Sequence, residues 1–502
     1  MKKNILFAVA IVSTFIANAQ QNNTLLDASF WKKSPSVATV QAEISKGNNP
    51  FEFNDRAFDP IVLAIINDAP TESIKFLINQ NGVDVNKSTH DNRIYLHWAV
   101  YSGNDAIVSL LLDKGSNTNA PDSHGTTPIT FAANAGQSNT KVYDALFKAG
   151  INPAAKYNDG ANLLLLAISN DKDLVLTKYF VSKGMSLQNT DTEGKTAFDY
   201  AARSGNIALL KNLISQKVKY TNNAVLFAAE GSRRETNKLD VYQYLINDLK
   251  LNAASTNTDG QTALHFVSRK PNQIEIINFL LENGVPVDKA DKEGNTALMA
   301  AATAKDAEAL TLLLSRTQNV NTQNLKGQTA LTRAVQSGTP QAVTALLTKG
   351  ANSEILDKDD NNLGVYLIES YKPESGRGKA NTGTDNENPF TTKLNALQAS
   401  GLNLALAQKD GSTLYHYAVL KNDVQLLKEL ANLKIDINAQ NKNGLTALHK
   451  AALIASDDNI MKLLIEAGAN TKLTTEFEET AFDLAQENEA LTSKKTDLEF
   501  LK

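Results

Sequence analysis

One phrase recurs along this chain at a nearly constant interval. DGQTALHFV begins at Asp259, EGNTALMAA at Glu293, KGQTALTRA at Lys326 and NGLTALHKA at Asn443. Gly260, Gly294 and Gly327 are 34 and then 33 residues apart, and Gly411 and Gly444 are again 33 apart. A period of this length builds a chain from small two-helix units, each touching mainly its neighbours. That constraint overrides the usual expectation that 502 residues make about three ordinary domains. It also moves the functional question from a catalytic centre to a binding surface.

The unit from Asp291 to Asn321 shows the physics. Gly294 falls in a polar turn, where a residue without Cβ takes a left-handed backbone at least cost. Thr296 follows as a helix N-cap. Ala297 to Ala302 predict a short helix whose small side chains let neighbouring units approach. A second helix carries Leu310, Leu313 and Leu314 in one apolar stripe. The unit closes with Val320 and Asn321. One such unit cannot bury its leucines alone and needs a neighbour on each side.

At these residues the pattern resembles the ankyrin repeat: D-x-x-G-x-T-P-L-H-x-A-A-x-x-G, then a V-x-x-L-L helix, then G-A-x-x-N. The run Asp122-Ser-His-Gly-Thr-Thr-Pro-Ile fits, as do Asp191 to Gly205 and Gly444 to Asn470. Alanine replaces the proline at positions 197, 263, 297, 330 and 447. Proline suits that first helical position because its missing N–H would be unpaired anyway, but the position does not require it. Asn92 stands where a turn glycine is expected, and asparagine tolerates the left-handed region next best. The units from Asp55 and Asn222 have drifted further, and the one from Asp357 is interrupted. The resemblance implies an all-α, ankyrin-type solenoid of about twelve stacked helix-pair repeats with short hairpin-like turns.

The N-terminus reads as a processing signal. Lys2 and Lys3 precede an apolar stretch from Ile5 to Ile16, which is too short to span a bilayer. Ala17-Asn18-Ala19 supplies a small-x-small cleavage pattern, so residues 1–19 are expected to be a signal peptide and Gln20 the first mature residue. A leader this short with two lysines resembles a bacterial one. Cysteine is absent, so disulfides and a lipid-modified cysteine are excluded and stability must come from stacking. The periplasm is the expected location, with secretion or the cell surface as the alternative. No C-terminal stretch looks like an added sorting domain, which weakens the secreted option.

Lys and Arg number 50 against 54 Asp and Glu, and 42% of residues are hydrophobic. That balance argues against a general nucleic-acid or anionic-membrane binder, which would concentrate basic charge. No later stretch is long and apolar enough for membrane insertion after signal cleavage. The chain is expected to be a monomer.

Residues 24–370 read as ankyrin-type repeats with a degenerate N-terminal cap. Trp31 closes that cap's core, and Pro35 after Ser34 marks a helix start. Residues 371–393 are polar, rich in Gly, Asn and Thr, and aperiodic, which predicts a flexible insertion. Repeats resume over 394–488, with Leu394 and Leu397 restoring the stripe. A polar tail is expected over 489–502.

The search for chemistry returns little. His97, His265, His416 and His449 share one register position in the repeat. Repetition argues for architecture, because an active site occurs once; in ankyrin repeats this imidazole bonds the backbone of neighbouring turns. His90 and His124 fall in successive turns and face outward, where Asp91 or Asp122 could complete a metal set. No nucleophile elbow, phosphate loop or zinc-protease motif is present. The run Asp357 to Asn362 faintly resembles a calcium loop but lacks its glycine and closing glutamate. No catalytic residue, metal site or cofactor is therefore expected. Trp98 and Tyr101 are three apart and share a helix face. They either pack against the next unit or anchor a partner.

In ankyrin proteins the turns and first helices form a concave surface that binds other proteins. Carried over by position, the partner-binding residues are His90, Asp91, Arg93, Tyr101, Ser123, His124, Thr192, Glu193, Lys195, Arg203, Lys292, Glu293, Leu325, Lys326 and Gln328. The expected function is a non-catalytic protein-interaction scaffold of the bacterial cell envelope. The alternatives are a secreted effector or inhibitor of foreign proteins and, less well supported, a hydrolase.

Overall fold

A computed structural model of the chain describes residues 23–231, 237–373 and 388–502. The expected leader, and 374–387 of the expected insertion, lie outside the described residues. The chain divides into two compact units, one comprising residues to 201 with 209–219, the other 202–208 with 220–502. Both are built from short helices. Among the described residues the only extended pairings are two isolated bridges, Thr190 with Thr196 and Thr474 with Thr480, which close turn hairpins.

In the first unit, first helices Pro60–Ile66, Tyr95–Ser102, Pro128–Asn134 and Leu163–Ala167 pack side by side. Their partners Thr71–Ile78, Asp105–Asp113 and Thr140–Lys148 form a second layer. The second unit repeats the scheme, with Ala297–Thr303, Ala330–Ser337 and Leu363–Ser370 in one layer and Ala307–Arg316, Pro340–Thr348 and Pro389–Ala399 in the other. Leu310, Leu313 and Leu314 are buried as the stripe requires. Each buried leucine contributes about 1.5–3 kcal/mol, but only where a neighbouring repeat covers it.

The punctuation follows the predicted chemistry. Thr296 accepts a hydrogen bond from the Met299 N–H and caps Ala297–Thr303. Gly294 adopts φ +81°, and Asn92 takes the left-handed region at φ 58°, joined there by Asp91 at φ 56°. The first turn residue closes each hairpin. Asp291 Oδ1 accepts from the N–H groups of Glu293 and Asn295 at 3.0 and 2.8 Å. Turns then bond to the next turn: Lys292 N–H donates to Asp259 O at 2.7 Å and Leu325 N–H to Glu293 O at 2.7 Å.

Gly294 has a second role. A Cβ there would lie 2.8 Å from Asn324 Cα in the following turn. Gly338 shows the same constraint without a left-handed backbone, since its Cβ would lie 2.2 Å from the Ala302 carbonyl oxygen. Close approach between repeats therefore selects glycine independently of φ.

Trp31 is buried and its Nε1–H donates to Leu25 O at 2.8 Å, which closes the N-terminal cap. The helix after it differs from expectation. It runs Val37–Ser45 with Ser36 as its cap, while Ser34 sits at φ 52° and ends the preceding turn. Both ends of the insertion are also tighter than the sequence suggests. Tyr371 is buried and donates its hydroxyl to Asp423 Oδ1 at 2.8 Å. Asn388 caps helix Pro389–Ala399, which buries Phe390 and Lys393. Residues 489–502 are not merely a polar tail, because Leu491 and Leu501 are buried and close the C-terminal repeat.

Candidate interaction surface

The repeat histidines are structural. His265 accepts the Thr262 N–H at Nδ1, 3.1 Å, and directs Nε2 at the Asn295 carbonyl oxygen, 3.1 Å. His97 points Nε2 at Thr126 O, His416 at Leu445 O and His449 at Leu473 O. A ring that accepts at Nδ1 and faces a carbonyl with Nε2 is neutral and carries its proton on Nε2. All four are buried, which pushes each imidazole below its ordinary range.

His90 and His124 do approach each other's turn. Their Nε2 atoms lie 3.6 and 3.8 Å from Asp91 Oδ2. The same oxygen, however, pairs with Arg93 Nη1 at 3.0 Å. A guanidinium beside the carboxylate opposes a bound cation. Among the described residues no group of three or more His, Asp or Glu is arranged to hold a metal. Asp357, at the start of the faint calcium-like run, spends its Oδ1 on the Asp359 and Asn361 N–H groups, both at 2.8 Å.

Two of the carried-over partner residues are not surface residues. Arg93 is buried and lies between turns, with Nε 3.0 Å and Nη2 2.9 Å from Asp122 Oδ2. It also faces the Phe131 ring at 4.6 Å. Gln328 is buried and donates to the Tyr366 hydroxyl at 3.2 Å. Both side chains point back into the stack, because each has a polar partner in the following repeat. Burial pushes the Asp122 carboxyl up, but the Thr126 and His124 N–H groups and Arg93 outweigh it and hold the carboxyl below its usual range.

The remaining residues stay at least partly open. Ser123, His124, Thr192, Glu193, Lys292, Glu293, Leu325 and Lys326 are exposed at turn tips, while His90, Asp91, Lys195 and Arg203 are half-buried. Their backbones join turns, as Ser123 N–H does to Asp91 O at 2.8 Å and Thr192 N–H to Asp159 O at 2.8 Å. A rigid backbone thus presents variable side chains. Lys195 pairs with Glu193 at 2.5 Å. In the second unit Arg203 pairs with Glu230 and covers the Phe227 ring at 4.7 Å.

The two aromatics of helix Tyr95–Ser102 divide the roles between them. Trp98 is buried and donates its Nε1–H to Thr89 Oγ1 at 2.9 Å. Tyr101 remains 49% exposed and stacks on Phe131, with centroids 5.5 Å apart and planes 29° from parallel. Phe131 was not anticipated. The available signal was its register, since it follows Trp98 by 33 residues and places a second ring at the same repeat position.

Stacked turn, short helix and amphipathic helix define a repeat protein whose exposed face is assembled from many small units. The profile described as ankyrin repeats (3 copies) matches residues 61–157, 138–225 and 272–359, and ankyrin repeats (many copies) matches 415–465. The chain belongs to the ankyrin-repeat family, whose repeats generally mediate protein–protein interaction and are typically non-catalytic. It is 32% identical over 109 residues to the transient receptor potential cation channel subfamily A member 1 homolog of Caenorhabditis elegans, covering 22% of this chain and 9% of the relative. Human rabankyrin-5 is 25% identical over 271 residues, covering 46% and 23% of the two chains. The probable 26S proteasome regulatory subunit p28 of Saccharomyces cerevisiae is 30% identical over 128 residues, covering 24% and 55%. The match thus spans less than two thirds of each of these relatives. Among the described residues no helix is long and apolar enough to cross a membrane.

Proposed function

We propose that this chain is a non-catalytic scaffold of the bacterial cell envelope, exported by residues 1–19, that binds a protein partner through its turns and first helices. The observation that carries the reading is Tyr101. A large ring left 49% exposed and held flat by Phe131 is a preorganised anchor of the kind that dominates interface energetics. In the first unit the turn tips at Ser123 and His124 supply variable side chains, and in the second unit those at Lys292, Glu293, Leu325 and Lys326 do the same. A hydrolase is the least supported alternative, because the four repeat histidines are committed to backbone carbonyls.

The test is affinity capture from periplasmic extract with the full mature chain as bait. Tyr101→Ala together with Lys292→Ala should weaken capture of a specific protein and leave the melting curve in place. Capture that is insensitive to those changes, yet lost in a folded His265→Ala variant, would overturn the assignment. Fractionation tests the location: mature protein mainly in spent medium would support the secreted effector instead.

A further inference from the structure

A cleft of about 380 Å³ opens in the first unit where three first helices end. It is lined by Ile66 and Asp68, by Tyr101 and Ser102, and by the turn from Ala135 to Ser138. Its size falls within the roughly 300–1,000 Å³ of small-ligand sites.

Asp68 is out of place by local rules. Aligning helix starts at Pro60, Tyr95 and Pro128 puts Asp68 at the position of Gly103 and Gly136. Those glycines take φ 74° and 69°, and Asp68 is held at φ 52°. A residue with a Cβ pays a strain cost there. The carboxylate also sits just past the C-terminus of Pro60–Ile66, the negative end of the helix dipole, where a cation is favoured. The carboxylate thus stands at an exposed helix end whose local field favours a cation. Among the described residues no hydrogen bond or ion pair reaches the Asp68 side chain, whereas Gln137 in the same cleft is occupied at both ends, donating to Tyr101 O at 2.8 Å and accepting from Asn139 N–H at 2.9 Å.

The cleft therefore combines an open carboxylate, three helix C-termini of negative partial charge, and a tyrosine face fixed by Phe131. We infer that it receives an arginine side chain of the protein partner, with the guanidinium stacked on Tyr101 and paired with Asp68. A planar, weakly hydrated cation gains from both the ring face and the carboxylate, which a compact ammonium does less well. The inference rests on the protein-binding reading above and names the chemistry of one contact within it.

Peptide display against the immobilised full chain tests it, using a random library and then one selected peptide resynthesised with arginine or its neutral isostere citrulline. Selected sequences should be enriched in arginine. The arginine peptide should lose about tenfold in affinity on Asp68→Asn, the usual scale for one charge-assisted hydrogen bond, and a similar factor on exchange for citrulline. Asparagine tolerates the left-handed backbone, so this variant stays folded. Asp68→Gly should also lose the arginine peptide while melting higher, which separates recognition from stability. Selected binders without arginine that still depend on Tyr101 would overturn the arginine site and leave protein binding standing. A selection yielding no arginine-bearing binder, or one indifferent to Asp68, overturns the inference.

Discussion

His265 Nε2 lies 3.1 Å from the carbonyl oxygen of Asn295, so one imidazole ties the cap of its own helix to the turn of the next repeat. Burial drives this ring, and those of His97, His416 and His449, below their ordinary pKa, although the facing carbonyls pull the other way. The unfolded chain protonates these rings near pH 6.5, before the folded state does. Protons therefore favour the unfolded chain, and stability present above about pH 6.5 is lost as pH falls through the depressed folded values.

A substitution already used elsewhere in the chain tests this. Thr130 and Thr332 occupy the histidine position in their repeats and accept the Thr127 and Thr329 N–H groups at 3.0 and 3.1 Å. Changing all four histidines to threonine should keep the caps and flatten the fall in melting temperature below about pH 6.5. An unchanged slope would mean that other groups drive acid unfolding. A single His265→Ala change at neutral pH should cost about 1 kcal/mol, the scale of one net hydrogen bond.

Glycine substitutions separate backbone strain from contact between repeats. Gly350 has φ +90° and nothing within 4 Å of a built Cβ, whereas Gly294 has φ +81° and a Cβ 2.8 Å from Asn324 Cα. Gly350→Ala should cost about 1–2 kcal/mol for the left-handed backbone alone. Gly294→Ala should lose a further 1–3 kcal/mol, roughly the penalty of overpacking, because backbone cannot move aside as a side chain can. Equal losses in denaturant titrations would show that the neighbouring turn yields freely.

The repeat made most of this architecture legible. Period, glycine punctuation and the Leu310, Leu313, Leu314 stripe fix the helices, because each signal depends on local geometry. What escaped the sequence depends on contacts between repeats. Arg93 and Gln328 read as surface residues from their turn positions, but the following repeat supplies Asp122 and Tyr366 and draws them in. The same holds for Phe131 beneath Tyr101. Residues 388–393 looked like loop because composition there is polar, yet Asn388 accepts from the Phe390 N–H at 3.0 Å and starts a helix. Asp68 was invisible because a single aspartate carries no periodic signal until its helix end is known.

Arg93 is expected to matter for stability more than for binding. It bridges Asp91 and the buried Asp122, and its removal leaves the Asp122 carboxylate without its counter-charge. Arg93→Ala should cost roughly 3 kcal/mol, the lower end of the range for breaking a buried pair. Arg93→Lys should recover only part of it, since one ammonium cannot span both carboxylates as the fork does. Retention of the melting midpoint in Arg93→Ala would show that water replaces the guanidinium.

Lys393 offers a test at alkaline pH. Its side chain is buried and Nζ donates to Val335 O at 2.8 Å. Burial, with the Lys372 cation adding to it, pushes the ammonium down to about 8. The unfolded chain keeps that proton to about pH 10.4. Between these values the unfolded state holds more protons, so stability should rise with pH over that window. Tyr366 opposes the trend only further up: burial first, then the Asp357 carboxylate, raise its phenol to about 12, so ionisation of the unfolded phenol near pH 10 favours unfolding above that point. Urea midpoints of the full chain should therefore climb from about pH 8 to a maximum near pH 10 and then fall. Lys393→Met fills the same space without a charge and should shrink the climb while leaving the fall; burial also holds Lys270 and Lys450 below their ordinary range, and they keep the remainder. A climb undiminished in this variant would mean that Lys393 keeps its proton in the folded chain.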